Sequence, residues 1–465
     1  MKRRGPKCGS ERGGSNNLIP RTSPVSQDLA PRSKAGSESI HKGVHDDIEA
    51  MLDNVESLVT PSNQHISPPS QALRTIPRHL NPKQALLFDR YINRFSRIYP
   101  SCQTSSNPFL STLLPMALES DFVLTALLAL SGTQTWGVEW DSLQQETLRA
   151  KQHTIEICRK TLSGIYHEVF SPHTLNPTAS AELLRLMACI TIMLIYEKLS
   201  GEDHHNWKPH LDFIGHIFNN AEMIFPLQYQ SSEEYQFLFH LFAYNDLVAS
   251  TSLRTRTLSQ FYIDVTTTAL LDDETYTDQY YFPSLIARLN AGDRSITLSH
   301  IRQWGGKLNW FPSHCLERSR RISSSGTVES VQCSDYDIVA EIYRAAAIIH
   351  YTHTVGAEDV QFPCCMRDHC DSFHYHRHAV RLLNLLPVHS PVGNILLWPI
   401  SIIAPDLMSE HTLERESVAR LLYNLEKHFQ MRHFRRTRET LREIWRAKDC
   451  GLDSRDIMQG SILQG

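Results

Sequence analysis

The sequence lacks several features that would each indicate a particular class of protein. Its ten cysteines are scattered without paired spacing over 465 residues, which argues against a disulfide framework and favours a reducing compartment. The most apolar run, Leu183 to Ile195, is interrupted by Arg185 and predicts a buried helix rather than a membrane span. We also expect no signal peptide, because no apolar stretch follows the basic first residues. The net charge of −4 draws the chain neither to nucleic acid nor to an anionic membrane.

Motifs of catalytic sites are missing as well. There is no Gly-x-Gly-x-x-Gly, no His-Glu-x-x-His and no Gly-x-Ser-x-Gly in the sequence. Gly305-Gly306-Lys307 lacks the upstream glycine of a phosphate-binding loop and follows no predicted strand. Since no nucleophile can be paired with a base, we nominate no catalytic residue and predict that the protein is not an enzyme.

Residues 1–80 differ in composition from the rest of the chain. They are rich in Ser, Pro, Gly, Asn and Gln and hold few aromatic residues. Such a composition cannot bury enough apolar surface to offset the entropy lost on ordering, so we expect a disordered tail. The basic run Lys2, Arg3, Arg4 and Lys7 is a candidate nuclear import signal, and a plain solvated tail is the alternative.

An acidic segment follows within this tail. Five carboxylates alternate with apolar residues at helical spacing: Asp46, Asp47, Glu49, Asp53 and Glu56 among Val44, Ile48, Met51, Leu52, Val55 and Leu58. The pattern predicts one short amphipathic helix, which Pro61 ends. Two interpretations stay open, an activation-type segment that folds on a coactivator and a disordered linker.

Helical periodicity begins near Pro82 and continues through most of the chain. Leu183 to Leu199 is apolar nearly all round, which predicts a central core helix. Phe261 to Leu271 comes nearest to a strand, and Ser313 to Asp335 reads as a long loop. We therefore predict an all-α fold with a multi-helix domain over residues 81–449, preceded by the tail of residues 1–80 and followed by a C-terminal tail of residues 450–465.

Five short motifs occur in one order along the helical region. They are Asn107-Pro108-Phe109 continuing through Pro115 to Leu118, Ile195-Tyr196-Glu197 with Trp207, His210 and Leu211, Phe239 to Ser252, Leu396 to Ile400 with Trp398 and Pro399, and Ile444-Trp445. The region that they span, residues 84–449, resembles the fungal-specific transcription factor domain, the helical regulatory region that follows a zinc binuclear cluster in fungal transcription factors. The resemblance implies a nuclear regulator that acts on the transcription machinery or on a DNA-binding relative, through a small-molecule effector, a partner or homo-oligomerisation.

The motif residues themselves point to structural roles. Asn107 before Pro108 is typical of a helix N-cap followed by proline at the first helical position. Trp398-Pro399 is expected to end one helix and set the entry to another. We expect His210 to be a packed residue rather than a ligand. Trp398 should be a buried anchor of the C-terminal helices.

The sequence departs from the family at its DNA-binding module. That module uses six cysteines to hold two zinc ions, whereas the first hundred residues here contain only Cys8. We therefore expect neither a zinc cofactor nor sequence-specific DNA binding from this chain alone. Zinc and DNA would enter only with a cluster encoded upstream of Met1, and natural loss of the module is the alternative.

Two clusters have the composition of a binding site. Cys364, Cys365, His369, Cys370 and His374, followed by His376 and His378, combine zinc-ligand chemistries. However, the cysteines are adjacent rather than spaced as a chelating pair, and alternating histidines point to different faces of a helix. The basic run Arg432 to Arg438 could contact phosphates, but cations where one helix ends complement its dipole, which favours a solvated surface.

Three functions are therefore compatible with the sequence. The leading hypothesis is a transcriptional regulator whose helical domain acts through a ligand, a partner or self-association. The second is an orphan interaction protein that has lost DNA binding and modulates a DNA-binding relative. The third is a helical metal-binding enzyme built around Cys364 to His378.

Overall fold

The computed structural model describes most of the chain after the tail. The described residues are 77, 79–100, 107–134, 138–169, 175–201, 206–253, 255, 257–258, 282–304, 335–355, 373–454 and 457. All regular structure in these residues is helical and none is a strand, which confirms the predicted all-α fold. The segment with the most strand-like pattern, Phe261 to Leu271, lies outside the described residues. The predicted loop from Ser313 also lies outside them up to Asp335, where a helix begins.

Helices follow one another along the whole described region. The first part contains α1 Pro82–Arg90 (continued by a π-helical turn Tyr91–Phe95 and by Ser96–Ile98), α2 Pro108–Ser111, α3 Leu113–Glu119, α4 Asp121–Gly132, α5 Val138–Val169, α6 Pro177–Ser200, α7 Trp207–Asn219, α8 Ala221–Ile224, α9 Leu227–Gln230 and α10 Glu233–Leu253. The second part contains α11 Phe282–Asn290, α12 Leu298–Gln303, α13 Asp335–Val355, α14 Phe373–Leu383, α15 Leu397–Ile403, α16 Thr412–Phe429 and α17 Arg432–Asp449. Short 3-10 turns at Pro391–Ile395, Ala404–Asp406 and Ser409–His411 link the last helices.

Local sequence explains where several helices start. An asparagine followed by proline opens α1, α2 and α6, and the caps are Asn81, Asn107 and Asn176. The Asn107 side chain accepts a hydrogen bond from the Phe109 amide at 3.0 Å. Proline loses nothing at the first helical position, because the N–H there has no intrahelical acceptor.

Helix α6 is the centre of the first half of the fold. It packs against α4, α5, α7, α10 and α17 and is buried on nearly all sides. By length and composition it could also cross a membrane, but 78% of its most apolar window is buried inside the protein. Burial of this kind is what an all-round apolar helix needs in a helical core, so α6 fits a core helix.

An aromatic cluster holds the second half together. Trp398 of α15 stacks on Tyr343 of α13, and Phe282 of α11 packs edge-on against it at 5.6 Å. The Tyr343 hydroxyl donates to the Ile395 carbonyl oxygen at 2.6 Å. The expectation that Trp398-Pro399 ends a helix is wrong. Pro399 is the third residue of α15, where its missing N–H leaves no hydrogen bond unmade.

Candidate functional site

A buried ion pair joins α5 to α6. Lys151 Nζ lies 2.9 Å from Glu197 Oε1, and the two side chains are only 10% and 7% exposed. The same ammonium lies 4.7 Å from the centroid of the Tyr196 ring. Desolvating two charges roughly cancels their attraction, so such a pair adds little net stability, while loss of one partner costs about 3–5 kcal/mol.

His210 of α7 lies beside this pair. Burial, and then the positive charge of Lys151, lowers the pKa of His210 to about 3. The imidazole is therefore neutral at physiological pH. Trp207 and Leu211 of the same motif are buried on α7.

Lys198 adds a further buried charge to Lys151, Glu197 and His210, on the side of α10 and α17. Its Nζ donates to Asn245 Oδ1 at 2.8 Å, and Asn245 Nδ2 donates to the Leu241 carbonyl oxygen at 2.7 Å. Burial lowers the pKa of Lys198 to about 7. His433 of α17 is also buried, and burial, followed by the charge of Lys198, lowers its pKa to about 3. Lys198 therefore changes charge near neutral pH.

We call Lys151, Glu197, Lys198, His210, Asn245 and His433 the polar core. These six residues come from α5, α6, α7, α10 and α17. Of them, His210, Glu197 and Asn245 lie within the sequence motifs and His433 lies within the basic run Arg432 to Arg438, whereas Lys151 and Lys198 belong to neither. Glu197-Lys198 stands near the end of an apolar helix, where charged residues usually face water. Nothing local in the sequence distinguishes that ordinary arrangement from burial.

Close backbone contact fixes α17 against the end of α6. Gly201 follows α6 with φ +66°, the left-handed region that favours glycine. A Cβ at this position would lie 2.9 Å from Arg432 Cβ. Since His433 is the next residue, this contact also sets the position of His433 relative to Lys198.

A second polar cluster surrounds Asp406. His353 Nε2 of α13 lies 2.9 Å and His376 Nε2 of α14 lies 3.5 Å from Asp406 Oδ2, and Lys448 Nζ of α17 lies 3.2 Å from Oδ1. Burial alone would raise the pKa of Asp406. The hydrogen bond with His353, the approach of His376, and the charges of His353 and Lys448 outweigh burial and hold that pKa well below its usual range.

The candidate metal cluster is only partly within the described residues. Cys364, Cys365, His369 and Cys370 lie outside them. His374 is in the first turn of α14 and its side chain is not described, whereas His376 is buried and His378 exposed. Among the residues that the structure describes, no group of three His, Cys, Asp or Glu is placed to hold a metal ion.

The cysteines in the described part of the chain, Cys158, Cys189 and Cys450, do not fit a zinc binuclear cluster either. Zinc needs deprotonated thiols in spaced pairs. Burial raises the pKa of both Cys158 and Cys189, so their thiols stay protonated. Cys8 lies outside the described residues, with Lys2, Arg3, Arg4 and Lys7 of the candidate import signal.

The basic run Arg432 to Arg438 lies where one helix ends and another begins, as the sequence interpretation had it, because α16 ends at Phe429 and α17 begins at Arg432. It forms the start of α17, however, where cations do not complement the helix dipole. Arg435 Nε and Arg438 Nη1 instead bind the two carboxylate oxygens of buried Glu426, at 2.6 and 2.8 Å. The ion pairs with α16, rather than the dipole, account for these two arginines.

The remaining motif residues pack or cap. Phe109 is buried and its carbonyl oxygen accepts from the Tyr91 hydroxyl at 2.7 Å. Pro115 is exposed on α3. The Trp445 indole of α17 is buried and donates to the Ala404 carbonyl oxygen at 2.8 Å. These contacts are of the kind that position helices.

Comparison with known proteins identifies the family. The model of the fungal specific transcription factor domain matches residues 86–311 and 307–461. The chain therefore belongs to the fungal-specific transcription factor domain family and is a fungal transcriptional regulator, a class whose general location is the nucleus. Searches among curated proteins and among solved structures found no match.

Proposed function

We propose that residues 81–449 form a regulatory domain that controls transcription by changing how its helices pack around the polar core. The observation that carries the proposal is that charged side chains, Lys151, Glu197 and Lys198, are buried between several helices. Apolar side chains would fill the same space at no cost in desolvation. A buried ion pair is weak evidence for stability but can specify one packing over another. A ligand, a partner protein or a second copy would act by binding one packing more tightly.

Helix α17 is the element best placed to transmit such a change. Its His433 belongs to the polar core, where the charge of Lys198 helps to lower the His433 pKa, and its Lys448 Nζ lies 3.2 Å from Asp406 Oδ1. These residues are 15 positions apart, which is about 22 Å along a helix. A displacement of α17 would therefore alter both polar clusters together.

The test is a reporter assay on the full chain fused to a heterologous DNA-binding domain. Lys151→Met with Glu197→Leu removes the buried pair without leaving one charge alone. Lys208→Met with Asp212→Leu is the matched control, because this pair is solvent-exposed with Nζ and Oδ2 2.6 Å apart. We expect the buried double variant to fold and to change reporter output, while the control does not. Equal output from wild type and both double variants would refute the proposal.

A second candidate function rests on the single cysteine in the first hundred residues. An interaction protein that modulates a DNA-binding relative needs no zinc cluster of its own. Phosphate contacts alone give binding of about 10⁻⁴ to 10⁻⁶ M that weakens with salt. Titration of the purified chain with genomic promoter fragments, alone and with a zinc-cluster relative, separates the two functions. Tight, sequence-selective binding by the chain alone would exclude this second function.

A further inference from the structure

The outer face of the α16–α17 hairpin carries cations around one exposed ring. Tyr423 is 42% exposed, with Lys427 Nζ 4.5 Å and Arg438 Cζ 5.2 Å from its ring centroid. Arg420 and Arg442 are also exposed, one on each helix. Over residues 412–449, ten Lys and Arg stand against six Asp and Glu. Glu426 is buried between Arg435 and Arg438, so its charge is already neutralised.

The exposed residues of α16 form one continuous row. Leu413, Arg420, Tyr423 and Lys427 recur at spacings of three, four or seven residues and therefore share a helix face. Leu413, at one end, is 77% exposed. The row from Leu413 to Lys427 is about 21 Å long. It offers an apolar end, an aromatic ring and cations along a single line, although Glu416 lies on the same side.

The tail segment Asp46 to Leu58 has the complementary pattern. Asp46, Glu49, Asp53 and Glu56 recur at helical spacing, so a helix here would present them as one acidic row, and residues 44–58 contain no Lys or Arg. Ile48, Met51, Leu52 and Val55 would form an adjoining apolar row. As a helix these 13 residues would be about 20 Å long, which matches the row on α16.

The stretch of chain between the acidic segment and α1 is long enough for the segment to reach the exposed row on α16. Asn394 Nδ2, in the turn Pro391–Ile395 that packs on α16, donates to the carbonyl oxygen of Ile98 at 2.7 Å, so the continuation of α1 lies near the end of α16. Residues 59–81 separate the acidic segment from α1. A random-coil chain of that length would span about 25 Å on average and about 75 Å when extended. Tethering at this range gives an effective concentration of about millimolar.

We infer that the acidic segment Asp46 to Leu58 docks on the outer face of α16–α17 of the same chain, with its carboxylates toward Arg420, Lys427 and Arg442 and an apolar side chain on Tyr423. The docking is supported by the opposite charges of the two surfaces, by their matching lengths and by the length of the connecting chain. Its regulatory consequence rests on the proposed function: a docked segment is withheld from coactivators, and a signal that displaces it activates transcription.

The contact can be tested in the full chain by zero-length carbodiimide cross-linking, which joins a carboxylate to a lysine only when they touch. We expect a cross-link between Lys427 and the tryptic peptide of residues 43–74 at low salt, and its loss at high salt. Arg420→Glu with Arg442→Glu should reduce the yield several-fold. Arg149→Glu with Lys160→Glu is the matched control, since both cations are exposed on α5. Adding Glu49→Lys and Asp53→Lys to the first variant should restore the cross-link, read on the shorter tryptic peptides that the two new lysines create.

Each result decides the inference. Absence of the cross-link in the wild-type chain, or an equal yield from the face variant and the control variant, would overturn it. Mixing isotopically light and heavy chains shows whether the two cross-linked peptides come from one chain or from two. Cross-links found only between two chains would overturn docking within one chain. A cross-link that behaves as expected, with reporter output unchanged by Arg420→Glu and Arg442→Glu, would retain the docking and overturn its regulatory role.

Discussion

The indole of Trp398 stacks on the phenol ring of Tyr343, with centroids 5.1 Å apart and 20° between the ring planes. Tyr343 comes from α13 and Trp398 from α15, so the pair joins two helices through residues that are 55 positions apart in sequence. Trp398 is 1% exposed. Phe282 and Trp304 extend the cluster, their centroids 4.4 Å apart. The contact makes Trp398 an anchor of the second half of the fold.

Trp398→Ala should destabilise the protein by about 3–5 kcal/mol, because it removes a large buried apolar surface and leaves a cavity. Chemical unfolding followed by circular dichroism measures the change. Leu413→Ala serves as the control and should be nearly neutral, since Leu413 is mostly exposed. If Trp398→Ala unfolds like the wild type yet abolishes reporter activity, the residue belongs to a functional surface instead.

The Lys151–Glu197 pair predicts a large coupling energy. Either Lys151→Met or Glu197→Leu leaves one buried charge alone and should cost about 3–5 kcal/mol, whereas the double variant should recover most of that loss. Equilibrium unfolding of the four proteins gives the coupling directly. For the exposed pair Lys208 and Asp212, the same cycle should give about 0–1 kcal/mol. Additive losses at Lys151 and Glu197 would contradict the buried pairing.

Gly201→Ala should destabilise the fold for two reasons, strain and collision. The left-handed backbone costs an L-residue about 1–2 kcal/mol, and the new Cβ would meet Arg432. Gly292→Ala isolates the strain, because Gly292 has φ +77° and open space around it. Gly164→Ala, inside α5 with no neighbour within 4 Å, should instead stabilise by about 0.5–1 kcal/mol. Equal losses of stability in Gly201→Ala and Gly292→Ala would show that α17 moves away from the new Cβ without destabilising the fold.

Lys198 predicts a particular dependence of stability on pH. Its pKa in the folded state is lowered from 10.5 to about 7. Below pH 7 both states bind the proton, so the full cost of burying the charge is present. Between about pH 7 and 10.5 the unfolded state binds more protons, and stability therefore rises with pH. Lys198→Met should remove this rise, which unfolding at pH 7 and 9 would detect, and Lys160→Met should retain it. An unchanged slope in Lys198→Met would disprove the assignment.

The sequence by itself determined the class of fold and the family. Periodicity of 3.6 residues is a local property, so it predicted helices without knowledge of their partners. The Asn-Pro pairs at Asn81, Asn107 and Asn176 are likewise local signals that start helices. The same holds for the central helix α6, whose all-round apolar surface required burial on every side. The motif order was sufficient to indicate the fungal-specific transcription factor domain.

Only the tertiary structure decided which polar residues are buried and which residues they pair with. Lys151 and Glu197 are 46 residues apart, and His353 and Asp406 are 53 residues apart. A helix pattern identifies a face but not the helix opposite it, so neither pair could be derived from spacing. The same limit explains the wrong dipole argument at Arg432 to Arg438, where Glu426 on the facing helix α16 binds Arg435 and Arg438. Burial of charge depends on contacts between helices, and those contacts exist only after the chain has folded.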